Sequence, residues 1–363
     1  MCQWCACSQN ISVMEINVNS HHKYRDLRYD VLRIIAALSV VLLHVVAELG
    51  KNVNSTLGMV CLFINSMTRP CVPLFFMLTG AFMLKKKIEI PVLLKSKVLK
   101  YFLYFLSWSL AYMCFNSQLW APNISIVSFF ALWLDGEYHL WFLLSLCAVY
   151  LIQPLLYAIV HYADGKYIPY YLVCFFVFGL IIPELTPYVW HFFKIKIDII
   201  LPDICGYSGY AILGYYLANT WKRKISVKWL VLAFAIATLF PFIVNWSIAY
   251  FMGKIRYCSF GYLMFSTAVK AIVLFLLCQR VPQRMEGRPW VEKWVYRLSV
   301  LTFGLYLVHP FVISICLPIW KPDTLLSEII CVPVSFIVVM GLSILLCSII
   351  ICLPYIKKLI LTK

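Results

Sequence analysis

Two ionisable residues, Arg33 and His44, stand eleven positions apart in the first long apolar stretch of the chain, YDVLRIIAALSVVLLHVVAEL. A charged side chain in the middle of a membrane helix costs about 2.5 to 3.5 kcal/mol on insertion scales, so it faces the protein interior and marks a pathway or a reaction centre. An imidazole titrates near neutral pH, which makes His44 a candidate general base able to take a proton from a hydroxyl group. Arg33 and Arg69 offer guanidinium groups, whose fixed fans of donors suit phosphate or carbonyl oxygens. Asp30 precedes Arg33 by three residues on the same helical face, so a local ion pair is the plainer reading of Arg33. Glu48 lies one turn after His44 and is placed to orient the ring or to stabilise its protonated form; a solvated helix end is the plainer reading. Arg69 has no acidic residue near it in sequence, and is harder to explain as structure. His139, with Glu137 two residues before it, and His309 complete the set as acceptor or supporting groups. Each histidine has a plain alternative, as a helix-end residue or as a packed hydrogen-bonding residue beside Pro310.

The elements that must position these residues are membrane helices. Of 363 residues, 63% are hydrophobic and 13% charged, and the mean hydropathy is +0.87. A soluble domain is about 45 to 50% apolar and about 25% charged. Successive apolar runs, each long enough for the roughly 20 residues of a spanning helix, number about ten. They centre on Leu38, Val72, Leu106, Val149, Val173, Gly209, Ala237, Thr267, Tyr306 and Met340. The expected fold is therefore all-α, one polytopic bundle of about ten transmembrane helices. Residues 1–28 form a polar tail, 29–356 the membrane domain and 357–363 a short basic tail.

The net charge of +16 raises nucleic acid as a partner, but its placement argues against one. With the N-terminus inside, 22 Lys/Arg fall on the cytoplasmic side and 6 outside, the asymmetry of a positive-inside topology. Both termini are then cytoplasmic. Arg33, Arg69 and Lys270 are the basic residues left inside spans. Clusters such as Lys85-Lys86-Lys87 and Lys222-Arg223-Lys224 suit contact with anionic membrane lipids. On this topology His44, His139 and His309 all belong to the outer half of the membrane.

The second span carries Pro70 and Pro73 in its middle. Each removes a backbone donor, which in a membrane is tolerated where the chain lines a cavity or is buried in protein. The segment ISIVSFFALWL is too short to cross and is expected to lie in the interface or to re-enter the protein. Sequons occur at Asn54 and Asn123. Fifteen cysteines are mostly scattered in apolar runs as small hydrophobes, without a disulfide framework. Cys2, Cys5 and Cys7 cluster without a second group to complete a zinc pattern, so no metal site is expected. P-loop, dinucleotide-binding, G-x-S-x-G and HExxH signatures are missing, so any chemistry uses what the helices offer.

Four stretches, in order, resemble the membrane-bound acyltransferase family 3. They are Asp30-Val31-Leu32-Arg33-Ile34-Ile35-Ala36 continuing to His44; Arg69-Pro70-Cys71-Val72-Pro73-Leu74-Phe75-Phe76-Met77-Leu78-Thr79-Gly80; Tyr138-His139-Leu140-Trp141-Phe142-Leu143; and Gly304-Leu305-Tyr306-Leu307-Val308-His309-Pro310. The chain looks most like the stand-alone members that O-acetylate surface polysaccharides. The resemblance implies acetyl-CoA or another acyl-CoA as donor from the cytoplasm, no permanently bound cofactor, and a hydroxyl acceptor outside, on a surface polysaccharide or its lipid-linked precursor. It implies that Arg33 and His44 match the family's first-span pair and Arg69 its basic residue before V-P-L-F-F. Some members have a second arginine three residues later; this chain has Val72, so a two-arginine donor clamp does not carry over. The expectation is an O-acyltransferase of the bacterial cytoplasmic membrane. Its catalytic groups are His44, as base or as carrier in an acyl-histidine relay, with Arg33 and Arg69. A transporter of a lipid-linked sugar, and a non-catalytic partner in surface-glycan assembly, are the alternatives; oligomeric state is left open.

Overall fold

The computed structural model describes residues 26–51, 55–116, 125–193, 206–252, 260–285, 287–319 and 324–352. The Cys2, Cys5 and Cys7 cluster, the sequon residues Asn54 and Asn123, most of the N-terminal tail and the whole C-terminal tail lie outside them. Among the described residues every regular element is helical. In chain order they are α1 (Leu27–Leu49), α2 (Thr56–Thr68), α3 (Cys71–Met83), α4 (Ile90–Phe115), α5 (Ile126–Asp135), α6 (Trp141–Leu151), α7 (Gln153–His161), α8 (Ile168–His191), α9 (Gly206–Tyr215), α10 (Val227–Met252), α11 (Phe265–Cys278), α12 (Pro289–Cys316) and α13 (Leu325–Cys352).

Seven of these runs are long and apolar enough to cross a membrane, with α2 and α3 counted as one, or eight if α6 and α7, bent by 53°, form a single broken span. All ten predicted centres fall in helices. The one around Gly209 is described from Gly206 and continues as a π-helical turn to Thr220, and the one around Thr267 is α11, of 14 residues, shorter than a crossing needs.

The chain divides into two compact units, and α1, α2, α12 and α13 build the first. The start of α1 is set by Asp26, whose carboxylate accepts the Arg28 backbone N–H at 3.1 Å and grips its guanidinium at 2.6 Å. This satisfies one of the donors that a helix leaves open at its N-terminus. Asp30 adds a negative charge in the first turn, where the helix dipole favours it. The end of α1 packs closely on α2 at Gly50: a Cβ there would stand 2.6 Å from the Cys61 Cβ. α2 starts at Ser55, which accepts from Gly58 N at 3.0 Å, while Glu328 of α13 accepts from Leu57 N at 3.2 Å. α2 ends before the turn at Arg69-Pro70, and Thr68 donates its hydroxyl to the Ile64 carbonyl at 2.9 Å. Val41, Val45, Val312, Ile313, Leu317 and Val339 form the apolar seam that joins α1, α12 and α13.

The second unit runs mainly from α3 to α10. Its tightest crossing is between α3 and α9, where backbones meet across glycines. A Cβ on Gly80 would stand 1.9 Å from the Ala211 carbonyl oxygen, and one on Gly214 would stand 2.0 Å from that of Met77. Small residues allow membrane helices this close an approach, and packing then replaces the hydrophobic drive that lipid cannot supply. The bend between α6 and α7 at Gln153-Pro154 delivers two side chains to the end of α3. Gln153 Nε2 donates to the Met83 carbonyl at 3.2 Å, and His161 Nε2 lies 2.9 Å from that of Leu84. The apolar segment too short to span is α5, which docks on α4: Trp133 Nε1 donates to the Leu106 carbonyl at 2.8 Å and Ser109 donates to the Trp133 carbonyl. It closes at Gly136, whose φ of +71° belongs to the left-handed region and whose α-carbon faces the Phe105 ring.

Gly80→Leu and Gly214→Leu are each expected to abolish the monodisperse peak in detergent size-exclusion chromatography. Gly341→Ala, where a Cβ meets nothing within 4 Å, is expected to raise the melting temperature slightly, since alanine gains up to about 1 kcal/mol over glycine in a helix.

Candidate active site

The polar residues of the first apolar stretch meet those of α12 in two rungs. The first is built on a carboxylate. Asp30 Oδ1 accepts from Arg33 Nη1 at 2.8 Å and from Ser299 Oγ at 2.7 Å. The Asp30 side chain is 4% exposed and that of Arg33 28%, so the cation is the open member of the pair. A carboxylate so deeply buried is tolerable only with a paired charge and satisfied lone pairs, and Arg33 and Ser299 supply both. The plainer reading of Arg33, as half of an ion pair, therefore holds, and Ser299 is a third member that the spacing of charged residues did not indicate.

The second rung is a pair of imidazoles. The rings of His44 and His309 lie 5.1 Å apart, inclined at 35°. α1 is unbroken from Leu27 to Leu49, which sets His44 about 16 Å along the axis from Arg33. His309 is fully buried, whereas His44 is partly exposed. His309 Nδ1 stands 3.0 Å from the Leu305 carbonyl oxygen. Pro310 inside α12 cannot donate to the Tyr306 carbonyl one turn earlier. The Tyr306 ring lies 6.4 Å from His309 on the same helix.

Arg69 occupies the turn between α2 and α3, with its Nε donating to Asn65 Oδ1 at 2.8 Å. Asn65 is itself buried and lies one turn earlier on α2, a polar partner where no acidic one was available in sequence. The positive charge of Arg69 is close enough to act on His44. The first unit thus brings together Asp30, Arg33, His44, Arg69 and His309. Glu48 is a correction: it is exposed and its carboxylate pairs with Lys51, so it does not orient the His44 ring.

His139 and Glu137 belong to the second unit. His139 is buried, with the Tyr112 and Tyr138 rings at 5.1 and 5.5 Å, and Glu137 accepts from Asn116 Nδ2 at 2.9 Å. Lys270, also in this unit, is 1% exposed and so is buried rather than reaching up to a membrane surface. Among the described residues no three His, Cys, Asp or Glu are grouped to hold a metal ion.

A carboxylate–cation–hydroxyl rung and a pair of neighbouring imidazoles are thus carried on helices long and apolar enough to span a membrane. The chain belongs to the membrane-bound acyltransferase family 3: the family model described as an acyltransferase domain matches residues 26–352. No curated protein and no solved structure matches it. The protein is an acyltransferase whose domain takes in all of the described helices.

Ser299→Ala is expected to lower stability by about 1.5 to 3 kcal/mol, the value of a hydrogen bond to a charged group, read as a lower melting temperature in detergent. Combined with Asp30→Asn, it is expected to cost less than the two single losses added, because both act on one contact.

Proposed function

We propose that the protein transfers an acyl group, acetyl above all, from a cytoplasmic acyl-CoA to a hydroxyl of a cell-surface polysaccharide or of its lipid-linked precursor. In this reading it is an integral protein of the bacterial cytoplasmic membrane with both termini inside. The observation that carries it is the succession of rungs along α1: a partly open cation held by a buried carboxylate near the helix start, then a partly exposed imidazole beyond it. The positive-inside asymmetry turns the start of α1 toward the cytoplasm, the side of the donor.

Each residue then has a task. Arg33, fixed by Asp30, meets the anionic groups of the donor as it enters. His44 takes the proton of the acceptor hydroxyl while that oxygen attacks the thioester carbonyl. Arg69 lies within electrostatic range of His44 and stabilises the negative charge that develops on the carbonyl oxygen. The C–O bond forms, the C–S bond breaks, and CoA leaves as the thiol with the proton returned to sulfur. Donors and charges set in place before reaction, in a site with little water, lower such a barrier by several kcal/mol. His139 and Glu137 serve the acceptor.

The test compares surface glycans from a deletion strain complemented with the wild type or with His44→Ala. Mass spectrometry is expected to show an alkali-labile gain of about 42 Da per acetyl group only with the wild type. Equal acetylation in both strains, with the variant correctly inserted, would remove His44 from the chemistry; no acyl difference between deletion and wild type would remove the acceptor class.

A further inference from the structure

We infer that Asn65 is a second donor to the oxyanion of acyl transfer, its Nδ2 N–H reaching the acyl carbonyl oxygen beside the Arg69 guanidinium. This rests on the reading of His44 and Arg69 as the groups that work on the thioester. Asn65 stands in the last turn of α2 and is 2% exposed. Its Oδ1 accepts from Arg69 Nε at 2.8 Å. A guanidinium nitrogen only donates, so that bond settles which end of the amide faces Arg69. Nδ2 is then turned away from Arg69 Nε with its N–H groups to give. Among the described residues it has no acceptor, and it is not one of the polar atoms sealed from solvent without a partner. An amide held in the interior with its donors unanswered costs free energy, and native proteins keep few such groups. An acceptor that arrives with the substrate answers it.

The surroundings hold this amide still. Thr68 shares its hydroxyl hydrogen between the Ile64 and Asn65 carbonyls, at 2.9 and 3.2 Å, so the backbone beneath Asn65 is tied as well as its side chain. α2 ends there, at Arg69-Pro70, which sets donor and cation together at one break in the helix, and the Arg69 charge acts on His44. When the hydroxyl oxygen of the acceptor adds to the acyl carbon, the C=O pair moves onto oxygen, and the anion takes a far stronger hydrogen bond than the neutral carbonyl did. The C–O bond forms as the hydroxyl proton passes to His44; as C=O re-forms, the C–S bond breaks and the proton goes on to sulfur. Asn65 and Arg69 give most at the stage between, while the charge is on oxygen. A donor fixed beforehand costs no rearrangement when that charge appears. A carboxamide also suits a buried place better than a second guanidinium, because it donates without a charge of its own to desolvate.

The rival is that Asn65 does no more than hold Arg69, and a double-mutant cycle separates the two. Purified protein is supplied with acetyl-CoA and with surface polysaccharide isolated from the deletion strain. Asn65→Ala is expected to lower kcat about a hundredfold or more, the cost of one oxyanion donor, with little change in the KM for acetyl-CoA. The deciding arm is Arg69→Met, which removes both the charge and the Nε donor at similar length. In that background Asn65→Ala is expected to cost about a further tenfold or more; no further loss would mean that Asn65 acts only through Arg69, and would overturn the inference. Asn65→Asp keeps the volume and the oxygen for Arg69 but carries no N–H, and so covers the case of an alanine variant that fails to fold. Monodisperse Asn65→Asp protein is expected to lose about a hundredfold in kcat; turnover at the wild-type rate would overturn the inference. Wild type that releases no CoA thiol would remove the acyl-transfer reading and this role with it, whereas wild-type turnover with a silent Asn65→Ala step in the Arg69→Met background would remove the donor role alone.

Discussion

A carboxylate buried among apolar helices is the constraint around which the first unit is arranged. Asp30 sits one turn into α1, where the helix dipole favours its charge, but at 4% exposure the dipole alone does not offset lost solvation. Arg33 supplies the opposite charge from the same helix, and Ser299 supplies a hydroxyl from α12. The consequence is that α1 and α12 are tied at one register. The apolar seam of Val41, Val45, Val312 and Ile313 then continues that register along both helices. His44 and His309 are brought ring to ring at the second rung for the same reason, so the placement of this pair depends on a polar contact several turns away.

Proline stands beside a polar side chain at two places in the first unit, with different effects on the backbone. Between α2 and α3 the Arg69-Pro70 turn interrupts a long apolar run and sets a cation there, with Asn65 holding its Nε. Within α12 the helix continues through Pro310, and the preceding His309 has its Nδ1 3.0 Å from the Leu305 carbonyl. In both, the proline removes a helix donor and a polar side chain next to the break gains a fixed position. Lipid offers no hydrogen bonds, so a freed carbonyl inside a membrane protein must be answered by the protein itself.

Much of this was legible in sequence because charge is rare in apolar stretches. Arg33 and His44 stood out for that reason, and the three-residue spacing of Asp30 and Arg33 correctly indicated an ion pair. Ser299 did not stand out, since serine is common in membrane helices and its partner is 269 residues away. Asn65 was one turn from Arg69 and went unnoticed because the search was for a carboxylate rather than an amide. Glu48 failed through competition: Lys51, three residues on, offers it a full charge at an exposed helix end. The membrane run around Thr267 was read from hydropathy, which sees apolar content but not where a helix begins, and α11 is shorter than that run.

The most direct test of the account is release of the CoA thiol from acetyl-CoA by purified protein in lipid nanodiscs, supplied with a sugar acceptor and followed for wild type, Arg33→Gln and His44→Ala. Acceptor-dependent release by the wild type is expected, with a loss of about a hundredfold or more in kcat for His44→Ala, in the range of general-base contributions, and a raised KM for acetyl-CoA in Arg33→Gln. Release at the wild-type rate from His44→Ala would contradict the central claim that the imidazole rung is where the acyl group changes hands.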